Sequence, residues 1–380
     1  MIPEESVESR PFYVFSRGTR RSALTRRTFL GGLGLAGLAG GAAAARRLLP
    51  GAGAPTAHAQ GHGPDGQMPM THNMVEGDVD PAANGFDPTA MLTDFDYGKT
   101  STLPSGQTLR EYTIVAQEKL IEIAPGVTFP AWVYNGRVPG PTIRCTQGDR
   151  LRITFINSTS HPHSIHFHGI HRPSMDGLTP VQPGETFVYE FDAEPFGLHL
   201  YHCHTIPFRR HIHKGLYGAL IIDPPAPRPA AKELVMVMNA FDTNFDAENE
   251  FYAVNTVAFH YAKHPIAVAL NEPVRIYLVN ITEFDPVNSF HLHAGMFNVF
   301  RTGTSLTPHE LTDIVTLGQG ERHILEFSLK FPGQYMFHAH QSEFSELGWL
   351  GIFDVPEPTA FAEPAVAGIC DLTSTPGGEG

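Results

Sequence analysis

Hydrophobic and polar residues alternate along many short segments of this 380-residue chain. Residues 150–157, RLRITFIN, show the period-two pattern of a strand with one buried face. Other segments are rich in Val, Ile, Phe and Thr and end at Gly or Pro turns: EYTIVAQE, FPAWVYNG, TFVYEFD and GALIIDP. No amphipathic helical pattern of any length competes with them, so the pattern predicts an all-β sandwich.

A second series of such segments follows a proline-rich hinge, DPPAPRPAAK. Its members are ELVMVMNAF, VRIYLVNIT, NVFRTG, HILEFSLKF, GQYMFHAH and LGIFDV. Each series has a strand just before an H-x-H cluster and a second H-x-H near its end, which indicates an internal duplication of about 120 residues. We therefore predict two tandem β-sandwich domains, residues 105–225 and 232–356, and a C-terminal tail, residues 357–380.

The N-terminal segment has the features of an export signal. In TRRTFLGGLGLAGLAGG paired arginines precede an apolar run, and AHAQ later supplies small residues for cleavage. This predicts a twin-arginine signal over residues 1–59 and a periplasmic or extracellular location, without a membrane span in the mature chain. A membrane anchor is the alternative, but the run barely reaches spanning length. Residues 60–104 are rich in Gly, Pro, Asp and Asn without periodicity, so we expect a flexible leader.

Charge and cysteine content narrow the possible functions. The formal net charge of −13 argues against nucleic acid as a partner. Three cysteines, an odd number in an exported protein, imply one thiol with a separate role, and Cys203 lies between two histidines. Cys145 and Cys370 either pair as a disulfide or are two unrelated thiols.

Eight histidines occur as four H-x-H pairs. The pairs are His166 and His168, His202 and His204, His291 and His293, and His338 and His340. Residues two apart on a strand share a face, so each pair presents two imidazoles in one direction. Because buried imidazoles need partners for their nitrogens, and three copper ions take about eight nitrogens when positions are left for oxygen species, the pairs predict a copper cluster.

The same parity directs the thiol of Cys203 away from its neighbours His202 and His204. The thiol then belongs to a different metal site, joined to the cluster through the backbone. One-electron entry connected to a multi-copper centre is what four-electron reduction of dioxygen requires.

Two imidazoles are needed beside this thiol. We predict His163 and His211, with His161 and His213 as rivals, because loop positions make parity a weak guide there. One thiolate and two imidazoles with a weak or absent axial ligand form a blue-copper site. Leu216 cannot coordinate, which implies a fairly high reduction potential.

These motifs resemble those of a known family. HSIHFHG, HCHTIPFRRHIHKGL, FHLHAG and FHAH look like the four copper-binding motifs of multicopper oxidases, and YNGRVPGPTIRCTQGD resembles their first-domain signature. The resemblance covers about residues 105–356 and follows the layout of two-domain, laccase-like oxidases. It implies two cupredoxin-like Greek-key domains with type 1, type 2 and binuclear type 3 copper, about four ions per chain. The spacing from Cys203 to His211 is longer than in the usual three-domain laccases.

The resemblance also implies a role for each residue. Type 1 copper would be bound by His163, Cys203 and His211, with Leu216 as a non-ligating axial neighbour. Type 2 copper would take His166 and His291, and type 3 copper His168, His202, His204, His293, His338 and His340. Asp176, in MDG, matches the family's acidic residue beside the trinuclear site, a proton donor, although Asp-Gly is also a common turn.

A homotrimer is implied as well. Two domains must supply their half-sites head to tail, and repeating that contact closes a ring, with each trinuclear site between subunits. We expect an oxidase that takes single electrons from small phenolic or similar reductants and reduces dioxygen to water. The alternatives are a copper nitrite reductase, which has Asp where His166 stands, a cuprous or manganous oxidase of copper tolerance, and a copper-storage protein.

Overall fold

The computed structural model describes residues 76–357. These residues all lie in one compact unit. Outside them lie the predicted export signal, the first part of the predicted leader, the tail beyond residue 357 and Cys370. The pairing of Cys370 with Cys145 therefore stays a prediction.

Strands account for most of the regular secondary structure of the described residues, and the prediction of an all-β fold is confirmed. The first ten strands are β1 (Phe95–Asp96), β2 (Lys99–Thr102), β3 (Thr108–Ala124), β4 (Val127–Tyr134), β5 (Thr142–Thr146), β6 (Arg150–Asn157), β7 (His166–Phe167), β8 (Thr186–Asp192), β9 (Gly197–His202) and β10 (Tyr217–Asp223). The next eleven are β11 (Lys232–Phe241), β12 (Phe251–Val254), β13 (Ile266–Ala267), β14 (Val274–Asn280), β15 (Val287–Leu292), β16 (Phe297–Arg301), β17 (Glu310–Thr312), β18 (Ile314–Gly318), β19 (Arg322–Phe327), β20 (Gly333–His338) and β21 (Leu350–Val355). The described helices are α1 (Pro81–Asn84), α2 (Pro88–Met91), α3 (Phe208–His213), α4 (His260–Lys263) and α5 (Ser342–Glu346), with a 3₁₀ turn at Pro173–Met175. No described helix has the length and hydropathy needed to cross a bilayer.

The strand order of β1–β10, the first sandwich, is repeated in β11–β21, the second sandwich. The first has sheets β2-β3-β6-β8, with β4 beside β3, and β1-β5-β10-β9-β7. The second has sheets β12-β11-β14-β19-β16-β17 and β13-β21-β20-β15-β18. In both, a parallel pair (β3 and β6, β11 and β14) continues into an antiparallel third strand, and the histidine-bearing strands pair antiparallel in the other sheet.

Apolar side chains fill each sandwich and also the contact between the two. Along β6 burial alternates at every residue, as its sequence predicts. Every residue of β14 is buried because its two faces meet different cores. Ile276 and Leu278 pack inside the second sandwich, whereas Tyr277 and Val279 join the cluster shared with the first sandwich. This shared cluster fixes one sandwich against the other.

Residues 76–104 are folded, unlike the flexible leader that was predicted to extend through them. Asp80 caps α1 by accepting a hydrogen bond from the Ala82 amide, and Gly85 ends this helix at a φ of 70°. Phe86 and Leu92 are buried in the cores. The Asp, Pro and Gly residues that suggested disorder are instead cap and turn residues.

Candidate metal centres

Cys203 directly follows β9 and is completely buried. Its Sγ lies 3.2 Å from His211 Nδ1 and 3.8 Å from His163 Nδ1, and the two Nδ1 atoms are 3.0 Å apart. Donor atoms bound at 2.0–2.3 Å to one metal ion lie roughly 3.3–3.5 Å from one another. One sulfur and two nitrogens in this arrangement fit a copper ion of the blue type.

Backbone contacts hold these three residues in place. We call His163, Cys203 and His211 the Cys203 group. His163 pairs with Val181 in an isolated bridge. The Ser164 amide points at Cys203 Sγ from 3.4 Å, and the Cys203 amide donates to the Leu216 carbonyl at 2.9 Å. Leu216 is fully buried and shares an apolar cluster with Cys203. It therefore lies beside the thiol and offers no ligand atom.

Burial sets the protonation of the Cys203 group. It lowers the pKa of His163 to about 3 and that of His211 to about 4, with further lowering from His211 and Arg210 respectively. Both imidazoles are therefore neutral, as metal ligands must be, near pH 7. Burial raises the pKa of the Cys203 thiol. A bound cation would be needed to keep it as a thiolate.

The rival histidines lie elsewhere. His213 Nε2 accepts a hydrogen bond from the Asp242 amide at 3.0 Å, and its ring packs edge-on against Phe129. His161 is partly exposed and lies 3.3 Å from Glu118 Oε1. Of the four candidates for the two imidazoles, the structure brings His163 and His211 to the thiol.

The histidines that flank Cys203 point to a different group of rings. His202 lies opposite His166 in the register of β7 and β9. His168 Nε2 is 3.2 Å from His202 Nε2, and the His166 ring centroid is 5.2 Å from that of His204. We call these four the first half-set: His166, His168, His202 and His204. The thiol and its neighbours thus point to opposite sides, as parity predicts.

The second sandwich carries a matching second half-set, which consists of His291, His293, His338 and His340. His291 lies opposite His338 in the register of β15 and β20. His293 Nε2 is 2.9 Å from His338 Nε2, and the His291 and His340 ring centroids are 5.2 Å apart. No ring contact among residues 76–357 joins the two half-sets.

In each half-set, Nδ1 of two histidines faces a backbone carbonyl. The contacts are His202 to Cys203 at 3.0 Å, His338 to Ala339 at 2.6 Å, His166 to Asp176 at 3.1 Å and His291 to Asp313 at 2.9 Å. A carbonyl only accepts hydrogen bonds, so in these four rings Nδ1 carries the proton and Nε2 keeps its lone pair. The Nε2 atoms turn towards one another, which is the tautomer and orientation that metal-binding histidines require.

Asp176 lies next to the first half-set, at the end of the 3₁₀ turn. Its Oδ1 is 3.1 Å from His166 Nδ1 and 3.7 Å from His171 Nε2. Asp176 thus fills both roles considered from the sequence: it ends a turn, and its carboxylate lies beside the histidines. Sequence reasoning did not single out His171, although it belongs to the same histidine-rich stretch.

Arg322 was also missed. Its Nη1 reaches from β19 in the second sandwich to within 3.4 Å of His168 Nδ1. No pattern around Arg322 in the sequence signals this contact, because it exists only through packing of the two sandwiches. It places a positive charge behind one imidazole of the first half-set.

Comparisons with known proteins agree with this geometry. Two multicopper oxidase family models match residues 115–227 and 227–359. A crystal structure of a multicopper oxidase is 54% identical with a TM-score of 0.72, and the match covers 73% of this chain and all of that one. The copper-containing nitrite reductase of Neisseria meningitidis serogroup A is 29% identical over 59% of this chain and 63% of its own length. Laccase-2 of Botryotinia fuckeliana is 37% identical over 32% of this chain and 22% of its own length.

The chain spans less than two thirds of the length of these curated relatives. By contrast, the two family models together run from residue 115 to residue 359, through both sandwiches. The Cys203 group, both half-sets and strands β4 to β21 fall inside that range. The chain belongs to the multicopper oxidase family.

Proposed function

We propose that this protein is a laccase-like oxidase, which couples one-electron oxidation of phenolic or similar donors to four-electron reduction of dioxygen to water. The observation that carries the proposal is the composition of the two half-sets. Each gathers four imidazoles, and His166 makes ring contacts with the other three of its half-set. A mononuclear nitrite-reducing centre has no use for eight imidazoles.

The donor sets support one assignment of ligands. The Cys203 group would hold type 1 copper through His163, Cys203 and His211, with Leu216 non-ligating at the axial side. His166 and His291 would hold type 2 copper, and the type 3 pair would take His168, His202, His204, His293, His338 and His340, for about four copper ions per chain. Copper bound there would supply single-electron acceptance at the thiol and dioxygen reduction at the histidines.

The chain's own residues connect and supply these sites. His202 and His204 are bonded directly to Cys203 in the chain, and His202 Nδ1 donates to the Cys203 carbonyl. This gives a short covalent route between the thiol and the first half-set. Asp176, with its carboxylate 3.1 Å from His166 Nδ1, is positioned to hold a proton for oxygen reduction.

We also propose a head-to-tail homotrimer. Within the described chain neither half-set meets the other, so a second copy must complete each trinuclear site. Large apolar side chains are exposed near both half-sets: Ile170 and Leu178 follow His168 in sequence, Met296 follows His293, and Ile314 lies opposite His291 in the register of β15 and β18. Such side chains suit the contact that a closed ring would bury.

Export through the twin-arginine route, with a periplasmic or extracellular location, remains part of the proposal. Replacing Arg26 and Arg27 by Lys should retain the protein in the cytoplasm, and fractionation of cells would show it. Wild-type protein found only in the cytoplasm would contradict this part alone.

A copper nitrite reductase is the second candidate, because this chain is similar to such enzymes over much of its length. The deciding experiment loads the protein with copper and measures copper content, visible absorption, oxygen uptake with 2,6-dimethoxyphenol and nitrite turnover. An oxidase should bind about four ions per chain, show a strong blue band and consume oxygen. About two ions per chain with nitrite turnover would replace the oxidase by the reductase. Oxygen uptake driven by cuprous or manganous ions alone would indicate a metal-ion oxidase.

A further inference from the structure

A cavity of about 640 Å³ lies between α3 and the turn that follows β11, and no proposed copper ligand lines it. Arg209, Arg210 and Lys214 reach it from the first sandwich. Phe245 and Phe284 reach it from the second. The cavity therefore combines cationic and aromatic walls.

The three cations have no carboxylate partners. Within residues 76–357 no ion pair and no side-chain hydrogen bond engages Arg209, Arg210 or Lys214. Asp242 also lines the cavity, but its oxygens accept hydrogen bonds from the amides of residues 245, 246 and 247. Glu283, which acts on Arg209 through space, is hydrogen-bonded to Gln319. The cavity keeps a surplus of positive charge.

The aromatic walls are held in unusual backbone conformations. Phe245, Ala247 and Phe284 have φ angles of 64°, 74° and 70°. Bulky residues rarely adopt positive φ, and such conformations persist where the surroundings impose them, often at functional sites. Here the carboxylate of Asp242 imposes the turn by accepting the amides of Phe245 and Ala247. The turn that carries the Phe245 ring is thus held in position.

Trp132 connects the cavity walls with the Cys203 group. The Arg210 guanidinium lies 5.1 Å from the Trp132 ring centroid, and the Lys214 ammonium lies 5.8 Å from it. The centroid of the same indole ring also lies 4.9 Å from the centroids of the His163 and His211 rings. A molecule in the cavity would thus be separated from the histidines beside the thiol by one cationic side chain and one indole ring.

We infer that this cavity binds the electron donor, and that the donor is an anionic aromatic molecule, such as a phenol that carries a carboxylate. Its ring packs against Phe245 and Phe284, and its anionic group lies among Arg209, Arg210 and Lys214. Each phenol gives up one electron and releases its hydroxyl proton to solvent, becoming a phenoxyl radical. Four such electrons and four protons convert one dioxygen into two water molecules. This inference rests on the proposed oxidase function and adds the class of donor.

The test compares two donors that differ by one carboxylate, syringate and 2,6-dimethoxyphenol, with the copper-loaded enzyme. Arg209→Gln, Arg210→Gln and Lys214→Gln should each lower the ratio of kcat/KM for syringate to that for 2,6-dimethoxyphenol, by about tenfold. The matched control is Arg301→Gln, which removes a surface arginine of the second sandwich and should leave the ratio within about twofold.

A binding measurement provides a readout without turnover. The redox-inert analogue 3,5-dimethoxybenzoate should bind the wild-type enzyme in calorimetry, and its Kd should rise about tenfold in Arg209→Gln. If a variant fails to fold, the dependence of the wild-type kcat/KM for syringate on salt concentration provides the test. The net charge of −13 repels anions overall, so added salt should raise kcat/KM for syringate if only net charge acts. A cationic cavity predicts that salt lowers it.

The outcomes separate the two claims. Oxygen uptake with both donors but an unchanged ratio and unchanged Kd in all three variants would overturn this inference and leave the oxidase proposal intact. A lower ratio of kcat/KM for syringate to that for 2,6-dimethoxyphenol in the cavity variants, with the ratio of Arg301→Gln unchanged, would support this inference. No oxygen uptake with any donor in blue, copper-loaded protein would remove the oxidase function and this inference together.

Discussion

The two sandwiches carry the same half-set of four imidazoles, but only the first has a thiol behind it. The histidine pairs occupy the same register, His166 opposite His202 and His291 opposite His338. The last histidine of each half-set is held by a serine hydroxyl: the His204 amide donates to Ser164 Oγ, and His340 does so to Ser289. The half-set geometry thus belongs to the shared backbone.

Four side chains make the difference. The residue between the paired histidines is Cys203 in the first sandwich and Ala339 in the second. The same backbone hydrogen bonds occur in both sandwiches, so Trp349 corresponds to Leu216 and Phe344 to His211. Asn288 corresponds to His163, because each lies three residues before the first histidine of its half-set. Where the first sandwich offers one sulfur and two imidazoles, the second offers a methyl group, an amide and an aromatic ring. Strand geometry therefore suffices for the half-sets, whereas an electron-entry site needs specific side chains as well.

The largest effect should come from removing the thiol. Cys203→Ser should abolish the blue absorption and lower donor oxidation by more than about a thousandfold, because the serine hydroxyl is a poor copper ligand. Copper content should fall from about four ions per chain to about three, since both half-sets remain. Absorption spectra, metal analysis and oxygen uptake measure this.

Cys145→Ser is the matched control for that substitution. Cys145 is also buried and in the first sandwich, but among residues 76–357 its Sγ contacts the Ile221 carbonyl, at 3.7 Å, and no imidazole. The control should keep its blue absorption. A blue band that survives in Cys203→Ser, or vanishes in Cys145→Ser, would contradict the assignment of the thiol.

Substituting a histidine in one half-set at a time tests whether the first half-set of one subunit meets the second half-set of another. His166→Ala and His291→Ala should each keep the blue band and lose oxygen uptake by about a hundredfold, because each removes a ligand from every trinuclear site. After the two variants are unfolded together and reassembled in equal amounts, head-to-tail trimers should regain about a quarter of wild-type uptake.

That fraction follows from the geometry. An intact site forms only where an undamaged first sandwich of the His291 variant meets an undamaged second sandwich of the His166 variant. If each site formed within one chain, mixing would restore nothing. Failure of the mixture to regain activity, although trimers form, would therefore contradict the intersubunit arrangement.

The strand pattern allowed much of this site to be predicted because parity is a local property. Opposite directions for Cys203 and its neighbours follow from alternation along one strand. His211 was predicted over His213, but parity could not decide between them, because the segment forms the short helix α3 rather than a strand. Successive helical residues are about 100° apart, so residues two apart point in nearly opposite directions. Arg322 reaches His168 only through packing of the sandwiches, which no local pattern encodes.

Acid should weaken the copper-free first sandwich through a histidine outside the proposed ligands. Burial lowers the pKa of His199, on β9, to about 4, and its Nδ1 has no hydrogen-bond partner among residues 76–357. The unfolded chain takes up this proton below about pH 6.5 and the folded chain only below about pH 4, so stability falls as pH falls between these values. From pH 7 to pH 5 the loss should be on the order of 1–2 kcal/mol from this group.

Urea unfolding of copper-free wild type and His199→Gln at both pH values measures that contribution. The variant should lose less free energy of unfolding on acidification than the wild type does. Equal losses would show that His199 is not the group responsible.

A smaller change is expected from Leu216→Met, which places a thioether beside the Cys203 group. An axial sulfur stabilises cupric copper, so the reduction potential should fall and oxidation of donors that are hard to oxidise should slow by a few-fold. Redox titration of the blue band measures the potential. Leu216→Ile, which adds no ligand atom, is the control and should leave the potential nearly unchanged.

The smallest effect should come from giving the second sandwich a thiol. Ala339→Cys puts sulfur where the first sandwich has Cys203, but Phe344 and Asn288 still stand where the imidazoles would be needed. A lone buried thiol has a raised pKa and binds copper poorly, so no second blue band should appear and copper content should stay the same. Absorption and metal analysis of this variant, compared with the triple variant Ala339→Cys, Asn288→His, Phe344→His, decide the point. A second blue centre in the single variant would show that the shared backbone alone, without paired imidazoles, makes an electron-entry site.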